Sequence, residues 1–290
     1  MDKSNGKLNL VTSMVIFGSI GLFRRNIALP SSVIAVVRGI LGAVFLLAVT
    51  KAKKQKLDRE AIRKNAGILI VSGLFIGINW ILLFEAYNYT TVATATLCYY
   101  FEPVIVTLLS PLVLSEKLTG KKVICVLIAL IGMVFVSGIL EAGFSGVQEL
   151  KGVLFGTGAA CFYSGAVLLN KKLKNIGSYE TSIIQLFMAG ALMIPYVMIA
   201  KEGIQGGIDA RSFVLLLIVS FVHTGFAYHL YFGGIRKVPA QVSAILSYID
   251  PVVAILLSAV LLKEPMTAAT ALGAVLILGA TLASEVRVKH

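Results

Sequence analysis

Charge is what this chain has least of. Asp, Glu, Lys and Arg make up 14% of its 290 residues, against roughly 25% in soluble domains, while 58% are hydrophobic and the mean hydropathy is +0.90. That balance excludes a soluble globular class and indicates an integral membrane protein. Cysteine is nearly absent too. Cys98, Cys125 and Cys161 all fall inside apolar runs. Their odd number argues against a disulfide framework and their spacing against a metal site, so they read as small core residues. No phosphate loop, no serine–histidine–acid spacing and no metal-ligand cluster is present, so ATP hydrolysis is not expected, nor is any cofactor. Long polar stretches are missing as well, which leaves no room for a soluble domain, and no run alternates as a barrel strand would.

What is present is a series of apolar runs: 8–23, 31–50, 66–87, 91–114, 121–139, 152–170, 179–200, 210–232, 240–262 and 266–285. Each can cross a hydrocarbon core of about 30 Å as a helix. Met1–Lys7 is polar, and the run after it reads as the first span rather than as a cleaved signal. The net charge of +12 invites a nucleic-acid reading, but the basic residues sit in short loops between the runs, most of all in 51–65. That distribution fits membrane topology, and no nucleic-acid partner is expected. With the N-terminus inside, nineteen of the 26 Lys and Arg fall on the inner side and six outside, Arg38 lying within a span. A multi-pass protein of the plasma (inner) membrane with both termini cytoplasmic is the expectation.

An internal repeat is the strongest pattern. At an offset of 148 residues Tyr100 falls on Tyr248, Glu102 on Asp250, Pro103-Val104 on Pro251-Val252, and Glu116 on Glu264. Residues 1–145 and 146–290 then hold five spans each, and an odd number forces the second copy to insert upside down. The expected fold is therefore all-α, with ten transmembrane helices in two inverted five-helix repeats, a recurring plan of secondary transporters.

The runs Ala86 to Ala95 and Pro103 to Leu114, followed by Ser115-Glu116-Lys117-Leu118-Thr119, resemble an EamA domain. Val238-Pro239-Ala240-Gln241-Val242-Ser243-Ala244, Pro251 to Leu262 and Lys263-Glu264-Pro265 resemble a second one. Two such repeats across nearly the whole chain are characteristic of the drug/metabolite transporter superfamily. The resemblance implies a central cavity lined mainly by helices one, three, four, six, eight and nine, and a cargo of amino acids, other metabolites or toxic small molecules.

Glu102 and Asp250, each near mid-membrane and each followed by a helix-breaking proline (Pro103, Pro251), are the leading candidates for substrate contact or proton coupling. The bland alternative is a pair of neutral acids pinning two kinked helices together. Each proline frees the carbonyl four residues back, that of Tyr99 or Ser247. Arg38 would hold a substrate carboxylate with its planar fork, or else pair with Glu102 or Glu85 or snorkel outward. Trp80 and Tyr228 are repeat equivalents, and with Tyr99 and Tyr163 they offer rings for stacking or for surrounding a cation, packing and interfacial belts being the alternative. Tyr231, near a helix end, reads as belt. Asn79, beside Trp80, is grouped with the site. His223 is a candidate proton relay or a hydrogen-bonded neutral side chain. Glu85 reads as interfacial, and Gly73 and Gly77 as packing within the bundle, with dimerisation second.

These readings point to a secondary active transporter, not an enzyme. It would move a small organic solute by alternating access, an amino acid or related metabolite outward, with protons as the coupling ion. An organic-cation or drug carrier is the alternative, and an intramembrane enzyme using Glu102 and Asp250 a remote one. The expected partners are the lipid bilayer and the small-molecule substrate, with the chain a monomer or homodimer.

Overall fold

The computed structural model describes residues 3–137, 147–200, 207–261, 263 and 267–285. Glu264 and the expected repeat boundary at 145/146 lie outside them. Every regular element among the described residues is helical: α1 (Lys3–Arg24), α2 (Ser31–Ala52), α3 (Arg59–Tyr89), α4 (Val92–Tyr99), α5 (Glu102–Leu114), α6 (Gly120–Ser137), α7 (Val147–Lys172), α8 (Ser178–Ile199), α9 (Ala210–Ile218), a π-helical segment (Val219–Phe226), α10 (Ala227–Ile235), α11 (Ala240–Ser247), α12 (Ile249–Leu261) and α13 (Ala268–Glu285). Counting interrupted helices once, eight among the described residues are long and apolar enough to cross a bilayer. The expected spans at 121–139 and 266–285 fall on α6 and α13.

Polar residues at the loop edges start several of these helices by accepting amides that the first turn leaves unpaired. Asp58 Oδ1 accepts from Ala61 N at 2.9 Å, Thr91 Oγ1 from Thr94 N at 3.1 Å, and Asp209 Oδ1 from Ser212 N at 2.9 Å. Hydrogen bonds from the Ser212 hydroxyl and amide hold the Asp209 carboxyl below its usual pKa. The Asp58 cap corrects the sequence reading. Residues 59–65, taken as loop, form the first two turns of α3, where an exposed Glu60–Lys64 pair at 2.6 Å adds a modest i,i+4 contact.

Both acid–proline segments interrupt their helices. The first break falls between Tyr99 and Glu102, the second at Tyr248. Sequence reasoning expected the freed carbonyls at Tyr99 and Ser247. The one that gains a side-chain partner is one residue on: the Tyr248 hydroxyl donates to the Tyr100 carbonyl at 3.0 Å, the two rings stacked with centroids 6.3 Å apart. The π-helical segment was not foreseen. It lies where Gly225 crosses Gly42 of α2, and Thr224 Oγ1 bonds back to the Val219 carbonyl at 3.0 Å.

Packing is pairwise. α6 lies on α13, α2 on α8, and α5 on α11; α3 packs on α7 and α8, α1 on α10 and α12, and α4 with α5 on α7. Small residues permit the closest crossings. Gly39 meets Gly190, and Gly73 and Gly77 seat on Gln185, Met188 and Ala189 of α8, so that pair packs within the bundle. Large apolar side chains such as Leu112, Met198, Ile199 and Val260 stand outward, a surface suited to lipid. Cys98 and Cys125 are buried, but Cys161 is exposed on that surface, so the core assignment fails for it because its face of α7 has no helix against it.

A Cβ built on Gly273 would stand 2.5 Å from the Gly132 carbonyl oxygen, and one on Gly132 would stand 2.8 Å from that of Gly273. Backbone cannot swing aside as a side chain does. Gly273→Ala is therefore expected to destabilise the protein by about 1–3 kcal/mol, read as a lower thermal midpoint in detergent. Gly21→Ala, with open space around its Cβ, is expected to leave the midpoint unchanged or raise it.

Candidate ligand cavity

The helix breaks open a cavity of about 270 Å³ between the two halves of the bundle. Its wall is built from α1, α2, α3, the α4–α5 break, α7, α10 and the α11–α12 break. Of the residues singled out from sequence, Arg38, Asn79, Trp80, Tyr99, Glu102, Tyr163, Tyr228 and Asp250 all line it. His223 does not. It sits on the π-helical segment, with Nε2 3.0 Å from Ser19 Oγ and its ring against Phe23.

Three pairs of wall residues are repeat equivalents at the 148 offset: Trp80 with Tyr228, Tyr99 with Ser247, and Glu102 with Asp250. Tyr100, one of the rings expected around the cavity, lines it too, while Tyr87, Thr96 and Ser247 join the wall without having been proposed. For Ser247 the signal was there, since it occupies the position of Tyr99 in the second copy. Tyr87 and Thr96, whose side chains interact, carry no such mark.

The Arg38 guanidinium lies over the Trp80 ring, 4.3 Å from its centroid. It forms neither of the ion pairs weighed from sequence. Glu85 instead accepts from the Tyr196 hydroxyl at 2.7 Å, and no carboxylate is within ion-pairing distance of Arg38 among the described residues. The indole face holds the cation in place of a counter-ion, and the donor fork is left to the cavity. Glu102 is nearly fully buried with Oε1 unpartnered; its main-chain carbonyl, by contrast, takes the Ser164 hydroxyl at 3.2 Å. Asp250 faces the Tyr100 phenol. Asn79 is fixed by its amide, which donates to the Ala159 carbonyl at 2.8 Å.

Aromatic rings close the floor. Tyr163 stacks on Tyr231 at 6.3 Å, and Phe17 meets Tyr228 edge-on at 5.1 Å. Tyr231, read from sequence as interfacial belt, is only 1% exposed. Its position near the end of α10 misled, because that turn packs inward on Phe17 and Tyr163. The lining combines a cationic donor fork, two carboxyls and aromatic rings. It can hold a small solute bearing charge of both signs. No group of three or more metal-ligating side chains occurs among the described residues.

Residues 4–138 and 150–284 each match the EamA-like transporter family. The chain belongs to that family. It is therefore a multi-pass membrane protein of a transporter family, as its apolar helices indicate. Among similar proteins is Uncharacterized transporter YxxF of Bacillus subtilis (strain 168), 30% identical over 264 residues, which are 89% of this chain and 82% of that protein. Protein PecM of Dickeya dadantii (strain 3937) is 24% identical over 217 residues, 74% of this chain and 72% of its own. A crystal structure at 20% identity superposes with a TM-score of 0.85, covering 97% of this chain and 98% of that one, so the two share a fold.

Trp80 is the sole tryptophan in the sequence, so intrinsic fluorescence reports from the cavity wall. A solute that occupies the cavity is expected to change the intensity or wavelength of that emission, saturably. A transported solute that leaves it unaltered would place the binding site elsewhere. The unpartnered Glu102 Oε1 gives a second expectation. Glu102→Gln removes no bond at that oxygen and is expected to hold stability within about 1 kcal/mol of the parent, measured by the thermal midpoint.

Proposed function

We propose that this EamA-like protein is a secondary active transporter of a small zwitterionic metabolite of amino-acid type. It exports that solute by alternating access between two inverted five-helix repeats spanning the membrane ten times. The observation that carries the reading is Arg38: a mid-span guanidinium held on Trp80, without a carboxylate partner, in the same cavity as Glu102 and Asp250. A buried arginine left in this state is costly unless a ligand completes it. The ligand that does so bears a carboxylate for the fork and an ammonium for the acids. Glu102, buried and free at Oε1, is the group that takes up the coupling proton, while Asp250, steadied by Tyr100, contacts substrate.

The inverted arrangement is supported by the three equivalent residue pairs on one cavity wall. It is supported as well by the packing scheme, in which helices occupying equivalent places in the two halves meet each other: α2 with α8, α6 with α13, and the interrupted helices α4–α5 and α11–α12 through α5 and α11. A carrier of organic cations is the second reading, favoured by two carboxyls and a ring-lined floor.

Transport into proteoliposomes under a pH gradient, with amino acids and organic cations as solutes, tests both. The expected outcome is uphill movement of a zwitterion that Glu102→Gln uncouples from the gradient. Arg38→Gln is expected to raise KM roughly 10- to 100-fold, since a hydrogen bond to a charged group contributes about 1.5–3 kcal/mol. Unchanged or improved cation transport in Arg38→Gln, with no zwitterion moved by the parent, would replace the first reading by the second.

A further inference from the structure

Away from the cavity, toward the end of the molecule that carries the α5 C-terminus and the α11 N-terminus, two features coincide. The first is a polar clasp. Ser115 ends α5 in the left-handed region at φ 55°, and the next residue, Glu116, places both carboxylate oxygens 2.9 Å from the Ala240 amide, the first of α11. Lys171, at the end of α7, lies 4.0 Å from Glu116 Oε1 and donates to the carbonyls of Ile235, at 2.6 Å, and Val238. The ends of four helices from both halves of the chain are tied in this one cluster. Gln241 adds a further tie, donating to Ser110 Oγ at 2.9 Å and to the Lys117 carbonyl at 3.2 Å.

The second feature is a seam of buried polar side chains between the clasp and the cavity. Thr107 and Ser110 on α5, and Gln241 and Ser243 on α11, are each at most 1% exposed. Thr107 Oγ1 and Gln241 Oε1 have no hydrogen-bond partner. An apolar pair of half-helices would pack better, and unpartnered polar atoms in a dry interface are destabilising. They are accounted for if the seam is wet in another state of the protein.

We propose that the α5–α11 interface is a closed gate on the solute pathway. Glu116 and Lys171 latch it by holding the α11 amide end, and Thr107, Ser110, Gln241 and Ser243 line the passage that opens when the latch parts. This rests on the transport reading and names where the second access route runs. It makes Glu116 a positioning residue: through Ala240 it fixes the half-helix that brings Ser247 to the cavity wall. The latch sets two opposite charges together at helix ends, the Glu116 side chain being 23% exposed and that of Lys171 7%. It can therefore open without leaving a bare charge in hydrocarbon.

The test uses the full chain with Cys98, Cys125 and Cys161 replaced and Thr107→Cys added, reconstituted in liposomes. A membrane-impermeant maleimide is applied at the face bearing Glu116. The intact latch is expected to protect the thiol, and Glu116→Ala or Lys171→Met to speed its labelling at least tenfold. Equal labelling rates with and without the latch overturn the proposal. A second variant, Ser110→Cys with Gln241→Cys, is bridged by a short bis-methanethiosulfonate and released by dithiothreitol. Bridging is expected to cut turnover at least tenfold, reversibly, while the Trp80 fluorescence response to solute persists. Undiminished turnover in the bridged protein overturns the gate. A parent protein that moves no solute at all sinks the transport reading instead, and the labelling comparison still decides whether the clasp controls access.

Discussion

A bilayer tolerates almost nothing less well than a backbone carbonyl or amide with no partner, since each unsatisfied group costs several kcal/mol there. The two mid-span breaks therefore control the design. The backbone groups around Tyr99–Glu102 and Tyr248 must meet side chains or a wet space, and both are found. The Tyr248 hydroxyl covers the Tyr100 carbonyl across the bundle, and the cavity occupies the space beside the breaks. The same breaks create fresh helix N-termini at α5 and α12, whose partial positive charge favours an acid in the first turn. Glu102 and Asp250 stand there. Break, acid and cavity are one feature.

Around that feature the bundle is held by close backbone approach and by a few buried polar ties, such as Asn79 on the Ala159 carbonyl. Gly39 against Gly190 and Gly132 against Gly273 bring helices together at distances a side chain would forbid. Such crossings gain dispersion contact where lipid removes the hydrophobic driving force between helices. Other polar contacts lie at loop edges and helix ends. Asn65 exchanges two bonds with the main chain of Lys174, at 2.9 and 3.1 Å, and Glu116 clasps Ala240. An interface tied chiefly at its end, as α5 and α11 are by Glu116, is suited to part as a unit.

Much of this was legible in the sequence because it is carried by period and by rare residues. Apolar runs gave the spans, prolines gave the breaks, and an offset of 148 residues brought Trp80 and Tyr228, and Glu102 and Asp250, to one wall. What escaped had no local signature. The π-helical turn at Val219–Phe226 contains no proline and arises from the crossing with Gly42. Tyr231 was misplaced because nearness to a helix end says nothing about which way a turn faces. Residues 59–65 were taken for loop because basic residues outside a span suggest one, whereas Asp58 caps a helix that begins at Arg59. Arg38 was the closest contest. A sequence offers carboxylates as its partners but cannot show that an indole face has taken their place.

The asymmetry at Arg38 says most about how a doubled fold acquires a single site. At the equivalent place in the second half stand Gln185 and Leu186, and the fate of the polar one, Gln185, is the opposite. Its Nε2 donates to Ser72 Oγ at 2.6 Å and to Asn170 Oδ1 at 3.0 Å, and its Oε1 accepts from Asn170 Nδ2 at 3.1 Å. Every polar atom of that side chain is used, at 0% exposure, in a network closed to any ligand. Arg38 lies on the Trp80 face, and among the described residues its donors have no hydrogen-bond acceptor. Duplication supplies paired breaks and paired acids, which a pathway with access at two ends needs. Directional recognition of a solute needs the reverse, one cationic anchor with nothing opposite it. Under the proposed transport reading, satisfying Gln185 internally while leaving Arg38 open breaks the symmetry at the place where two equal sites would bind a solute in two opposed poses.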